Sequence, residues 1–178
     1  GGSVSNPDEA SFVLDRAAEW LNLQPGMSLG IVAPYVAQVE TLREGWSERV
    51  RAQPELRQAA VTIHTVDGFQ GQERDAMLVS LTRSNDKGEV GFLSESRRIH
   101  AAQTRAKMAC MLVGDSATLS TDAFLADLFE YAQAHADVGE QAAQKMPVAI
   151  VRVAMALEAQ RVVEAELRRR CVHVDEAG

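Results

Sequence analysis

Two arginines in the segment SESRRIHAAQTRAK, Arg98 and Arg105, stand seven residues apart with Ala101 and Ala102 between them. Read as one helix, that spacing brings both guanidiniums to within about 20° of each other, beside a strip of small residues. Guanidinium forks match phosphate oxygens, so the pattern suits docking against an anionic group. The alternative is a solvated basic face paired with neighbouring carboxylates. A second constellation lies in HTVDGFQGQERDAMLVSLTRSN, where Gly68 and Gly71 allow positive φ and close backbone approach. The side chains of Gln70, Gln72 and Glu73 suit ribose hydroxyls or a water near phosphate, although a plain turn would also use glycines. A third is Pro34-Tyr35 with Gln38. Tyr35 could stack on a base or could simply end a strand.

These residues need elements to hold them. Four short apolar runs read as buried strands: LGIVA (29–33), VTIHT (61–65), MLVSLT (77–82) and MACMLV (108–113). Each is continuous more than alternating, as expected when both faces are covered. Helical patterns separate them. The first follows the Asn6-Pro7 cap signal, with Phe12, Val13, Ala17 and Trp20 on one face. The next carries Val36, Val39 and Leu42, another starts at a Ser94 cap, and a fourth starts at Thr121 and buries Phe124, Leu128 and Phe129. Strands interleaved with helices predict an α/β domain on a mainly parallel sheet, with ligands beyond the carboxyl ends of the strands. The polar loops after Ala33, Thr65 and Thr82 fall at that end. Residues 138–178 read differently, as a helical extension in which Pro147 opens one long helix.

The 178 residues suit one domain and an appendage. Gly1-Gly2-Ser3 reads as a cloning remnant. Two cysteines, Cys110 and Cys171, without a Cys-x-x-Cys pattern argue against structural zinc or a disulfide framework. They read as small buried apolar residues. No apolar run approaches the roughly 18 residues of a membrane span, so an intracellular chain, cytoplasmic or nuclear, is expected. The net charge of −7 speaks against a nucleic-acid partner until its distribution is considered. Residues 64–108 hold seven basic against six acidic side chains, while both flanks are dominated by carboxylates. The closing VHVDEAG looks like an acidic magnesium box, but no phosphate loop precedes it, and chance is the better account. His64, His135 and His173 show no ligand pattern.

Taken in order, IVAPYVAQVETLRE, TVDGFQGQERDAMLVSLTRSN, GEVGFLSESRRIHAAQTRAK and LVGDSATLS resemble motifs IV, V and VI of superfamily 1 helicases. The resemblance is to the Upf1-like branch, and within it to immunoglobulin-mu-binding-protein-type helicases. It covers about residues 4–135. It implies a RecA-like three-layer domain over residues 4–137, the second of two motor domains in an ATP-dependent helicase acting 5′ to 3′. ATP with Mg2+ would be sandwiched between the two, with the phosphate loop and the Mg2+ ligands on the first domain of the same parent chain.

By the same resemblance, Arg105 is the arginine finger and Arg98 its supporting cation. Tyr35, Gln38, Gln70, Gly71 and Glu73 would face the nucleotide. Pro34, Thr65 and Arg83 would contact the backbone of single-stranded RNA or DNA. His100, Ala101 and Gln103 depart from a frequent N-V-A-L-T-R-A-R pattern, and Val39 stands where some relatives place a second arginine. A fragment holding the finger without the phosphate loop should be inert alone. A non-catalytic interaction module that keeps the fold is the alternative, and a free-standing mononucleotide-binding domain is a third reading.

Overall fold

The computed structural model describes residues 3–135 and 149–153. Strands β1 (Leu29–Ala33), β2 (Val61–Thr65), β3 (Arg74–Ser80), β4 (Ala106–Gly114) and β5 (Ala149–Val153) form one sheet in the order β2-β1-β3-β4-β5. The first four are parallel, and β5 lies antiparallel to β4 at the edge. Helices α1 (Pro7–Leu23), α2 (Val36–Ala52), α3 (Ser96–Gln103), α4 (Ser116–Leu119) and α5 (Ala123–His135) complete the described fold.

Strands β1, β3 and β4 alternate between two cores, which is why their sequences read as unbroken apolar runs. Leu29, Ile31 and Ala33 of β1, Leu78 of β3 and Met111 and Val113 of β4 pack with Val13, Leu14 and Ala17 of α1 and Val39 and Leu42 of α2. On the other face, Val32, Met77, Val79, Cys110 and Leu112 pack with Ile99 and Ala102 of α3, Leu119 of α4 and Leu125 and Leu128 of α5. Helix, sheet and helix make three layers, the α/β RecA-like architecture expected from the sequence. Cys110 is fully buried, and burial pushes its thiol up to about 12.

Asn6 caps α1 as expected, its side-chain oxygen accepting the Glu9 N–H at 3.1 Å. Val36 is exposed at the start of α2, leaving Val39 and Leu42 as that helix's buried stripe. Two expected starts move. Gly91–Ser94 forms a 3-10 turn, so α3 begins at Ser96 and the Ser94 hydroxyl donates to Gly91 instead of capping. At α5 the cap bond comes from Asp122, which accepts the Leu125 N–H, and not from Thr121.

The expected long helix after Pro147 is also corrected at Ala149–Val153, which is strand β5. Ile150, Val151 and Val153 are β-branched, and β4 otherwise leaves an unpaired edge, so sheet pairing wins over a helical pattern. The remainder of the expected extension, 138–148 and 154–178, lies outside the described residues, as do Cys171, His173 and the VHVDEAG segment.

Because β2 and β3 are parallel with β1 between them, residues 66–73 must return the chain from the carboxyl end of β2 to the amino end of β3. They do so without a full helix, crossing the α3 face with only a 3-10 turn, Asp67–Phe69. Phe69 is the anchor, 2 % exposed, lying over β1 at Gly30. A Cβ at Gly30 would stand 2.7 Å from the Phe69 ring and collide with the Met77 sulfur. The glycine in β1 is there so that the crossover can lie flat.

Candidate nucleotide-facing cleft and polymer rim

The crossover and α3 enclose a cleft of about 230 Å³. Gln70 and Asp67 line one side, Arg97, Arg98, Ala101 and Ala102 the other, and Arg105 stands at the end. The strip of alanines read from the sequence forms a wall of this cleft, and its small side chains leave the space open. The helical geometry assumed for the two arginines does not hold. Helix α3 ends at Gln103, and Arg105 sits in the turn before β4. The physical reason is the sheet: the Arg105 carbonyl accepts the Arg74 N–H at 3.0 Å, which starts the β3–β4 ladder and pulls the chain out of the helix. Both guanidiniums still reach the same cleft, by a helix face in one case and a turn in the other.

Their electrostatic surroundings differ. The Arg98 Nε lies 3.4 Å from the Asp67 carboxylate and 3.3 Å from that of Glu95, long pairs at a partly exposed group. Its guanidinium also sits 5.6 Å from the centre of the Phe92 ring. Among the described residues no carboxylate pairs with Arg105. The alternative of a neutralised basic face therefore describes Arg98 and fails for Arg105. A half-buried cation beside an open, small-walled space fits an anionic phosphate group.

The other expected nucleotide contacts are dispersed. Gly71, at φ 78°, and Glu73 are exposed on the far run of the crossover and do not line the cleft. Glu73 precedes Arg74, whose N–H is bonded to the Arg105 carbonyl, so it stands close in the chain's path to the finger candidate. Tyr35 is buried, with its ring centre 5.7 Å from that of Phe92, which places it one aromatic ring away from Arg98. Gln38 is fully buried. Its amide donates to Ser80 Oγ at 2.9 Å and its oxygen accepts the Asn6 N–H at 2.7 Å, so its polar atoms serve the interior.

Pro34, Thr65 and Arg83 follow or end β1, β2 and β3, and so share the carboxyl rim of the sheet. Thr65 Oγ1 accepts the Gly68 N–H at 3.1 Å and lies 3.2 Å from His64 Nδ1. That nitrogen accepts the Thr65 N–H at 2.9 Å. Arg83 Nε donates to the Glu89 carbonyl at 2.7 Å, and its Nη2 lies 3.4 Å from the Glu89 carboxylate. The charged rim groups are held by their own loop.

A family profile described as an AAA domain matches residues 1–117, which includes every residue that lines the cleft. The chain is 39% identical over 136 residues to the Arabidopsis thaliana protein named "Probable helicase MAGATAMA 3", covering 74% of this chain and 16% of that protein. It is 41% identical over 138 residues to the Mus musculus "DNA-binding protein SMUBP-2", covering 76% and 13%. With the Saccharomyces cerevisiae "DNA polymerase alpha-associated DNA helicase A" it shares 36% over 140 residues, covering 77% and 20%. This chain belongs to the Upf1-like superfamily 1 helicases. It spans a fifth or less of each of these relatives.

For a domain of this helicase family, sequence reading missed several functional candidates. Asp67 and Arg97 line the cleft, and both sit inside the quoted motifs, so a reading restricted to glycines and finger arginines passed over them. Phe92, 52 % exposed beside Arg98, had only the aromatic signal of GEVGFL. Glu9 drew no reading from the sequence, although it is 2 % exposed and burial pushes its carboxyl up to about 7. Nothing in a helical heptad pattern marks a carboxylate as internal. Among the described residues, no group of His, Cys, Asp and Glu is arranged to hold a metal, and no helix is long and apolar enough to cross a membrane.

Proposed function

We propose that this chain is the second RecA-like motor domain of an ATP-dependent helicase, and that it delivers Arg105 to a nucleotide held by the first. The observation that carries the reading is a half-buried guanidinium, without a carboxylate partner among the described residues, that lines a small-walled cleft inside the family's matched region. ATP with Mg2+ would supply the phosphoryl group and the bulk of the counter-charge, with the Mg2+ ligands on the other domain. Arg105 would stabilise charge on the transferring group, a role worth about 10³–10⁵ in rate where a finger is present. Arg98 would support it once its long contacts to Asp67 and Glu95 yield to the stronger anion, and Gln70 would donate from the opposite wall. Gly71 and Glu73 would meet the ribose or phosphates as the domains close. Tyr35 would act through Phe92, and Gln38 by fixing the turn after β1.

Pro34, Thr65 and Arg83 would form part of the track for single-stranded RNA or DNA, contacting its backbone without reading bases. The cleft lies on the α3 face of the sheet and the rim at the carboxyl ends of its strands, so nucleotide-driven closure would move the track as a body. The domain alone, holding a finger and no phosphate loop, would not turn over ATP.

The test is Arg105→Glu in the full-length protein that carries this domain. ATP hydrolysis is expected to vanish while single-strand binding stays at its original affinity. Undiminished hydrolysis removes Arg105 from the role.

A further inference from the structure

Where β3 meets the rim, the backbone does something costly. Thr82 has φ 72°, and it alone among the described non-glycine residues has a positive φ. The Arg83 N–H donates to the Leu81 carbonyl at 2.8 Å, which closes a three-residue turn around Thr82. A γ-turn with positive φ is rare and strained, and a β-branched side chain makes it worse. Such a conformation persists only where its surroundings over-determine it.

What determines it comes from the other end of the sequence. Glu9, buried on α1, accepts the Thr82 N–H at 2.7 Å and the Ser80 hydroxyl at 2.6 Å on the same oxygen, Oε1. Ser80 in turn accepts from Gln38, and the Asn6 amide lies 3.4 Å from the Thr82 carbonyl. The Glu9 Oε2 atom is buried with no partner among the described residues. A simple core position would hold an apolar side chain or a fully satisfied polar one. A carboxylate kept inside with one oxygen unpaired, and with the Asp115 charge in its surroundings, is there for what the other oxygen holds.

We infer that Glu9 is a positioning residue for the polymer track: it holds Thr82 in its left-handed turn, and so sets where the Arg83 guanidinium stands on the rim. Without the bond to Oε1, the turn relaxes toward ordinary negative φ. Arg83, bonded to Glu89 through its own loop, then swings with the backbone. The inference rests on the reading of Arg83 as a backbone contact, and its test separates the two.

Binding of a single-stranded oligothymidylate to the full-length protein is measured against salt concentration. Each phosphate contact contributes about 0.7 to the slope for single strands. Arg83→Ala is expected to lower the slope by about 0.7. A wild-type slope there discards the Arg83 contact itself. Glu9→Ala is expected to lose the same increment, and to raise the strand concentration for half-maximal ATPase while kcat at saturating strand holds. Glu9→Gln keeps an acceptor in place of Oε1 and is expected to restore the slope. Adding Thr82→Gly to Glu9→Ala is expected to restore part of it, because glycine accepts the turn without help.

Should the alanine variant not fold, Glu9→Asp, one methylene too short to reach Thr82, is expected to show the same loss. If Arg83→Ala lowers the slope while a folded Glu9→Ala or Glu9→Asp keeps it, Glu9 is a buried carboxylate of the fold and the inference falls. It also falls if Glu9→Gln behaves as Glu9→Ala.

Discussion

The cleft and the rim use the same kinds of side chain in opposite ways. At the cleft, Arg105 has no carboxylate partner among the described residues, and the carboxylates nearest Arg98 lie at 3.3 and 3.4 Å. At the rim, Arg83 is bonded to Glu89, the Thr65 hydroxyl to its neighbours, and Thr82 to Glu9. An unspent guanidinium keeps its electrostatic capacity for a ligand that brings charge. A guanidinium already bonded has its position fixed before anything binds. The first suits a group whose charge changes during a reaction, where preorganised donors count most. The second suits a polymer that passes in many registers and offers a repeating phosphate.

The comparison breaks most sharply at Arg105. Arg105→Lys keeps the charge and loses the planar fork. In the full-length protein, kcat for ATP is expected to fall at least about 10²-fold, short of the whole value of a finger. Arg98→Ala, at the already-paired position, is expected to cost less. Steady-state ATPase at saturating strand measures both, and equal losses in the two variants would erase the distinction between unspent and paired cations.

The next largest effect belongs to the rim and is a pH dependence. Burial lifts the Glu9 carboxyl from 4.5 to about 7. Between those values the folded chain holds a proton that the unfolded chain has released. Stability therefore falls as pH rises through this window, by a total of roughly 3 kcal/mol, and is flat with respect to this group above it. Glu9→Gln removes the dependence, so the variant gains on the wild type as pH approaches 7. Denaturant midpoints between pH 5 and 8 check it, and parallel curves for the two proteins would mean that the carboxylate is already solvated.

Much of this arrangement was legible before the fold. The strands 29–33 and 61–65 keep the bounds read from the sequence, although only the first is buried along its whole length. The alanine strip between Arg98 and Arg105 does wall a cleft. The connection between those arginines was not legible, since only the Arg74–Arg105 ladder bond decides where the helix stops. The glycines of the crossover were read as ligand-facing. Gly68 is small because a Cβ there would run into the His64 ring, and Gly30 because Phe69 lies on it. The first contact is made by the bend after β2 and the second joins segments far apart in sequence, and spacing alone carries neither. Strand β5 was lost for the same reason: an apolar run of Ala, Ile and Val suits either element until an open sheet edge is known to be waiting.

On the cleft side, Gly30→Ala sharpens the claim that the crossover is a packed wall. The new methyl meets the Phe69 ring and the Met77 sulfur. Overpacking of this kind costs about 1–3 kcal/mol. Thermal unfolding should show that loss. Phe69→Leu in the same chain should recover part of it, because a smaller anchor makes room. Additive losses would show that Gly30 and Phe69 do not share the space.

The smallest expected effect concerns the last residue of α3. Gln103 is 3 % exposed, and its Oε1 has no hydrogen-bond partner among the described residues. It stands at a position where the resembling motif more often has leucine or valine. An unpaired buried acceptor carries a desolvation cost of about 1–3 kcal/mol, against which a leucine of similar length sets only the loss of the amide's remaining contacts. Gln103→Leu is therefore expected to raise stability by about 1 kcal/mol, read from denaturant midpoints. A destabilised variant would mean that Oε1 is bonded in the assembled protein. In that event the cleft side too would hold a satisfied buried polar group, and the contrast between the two regions would rest on the arginines alone.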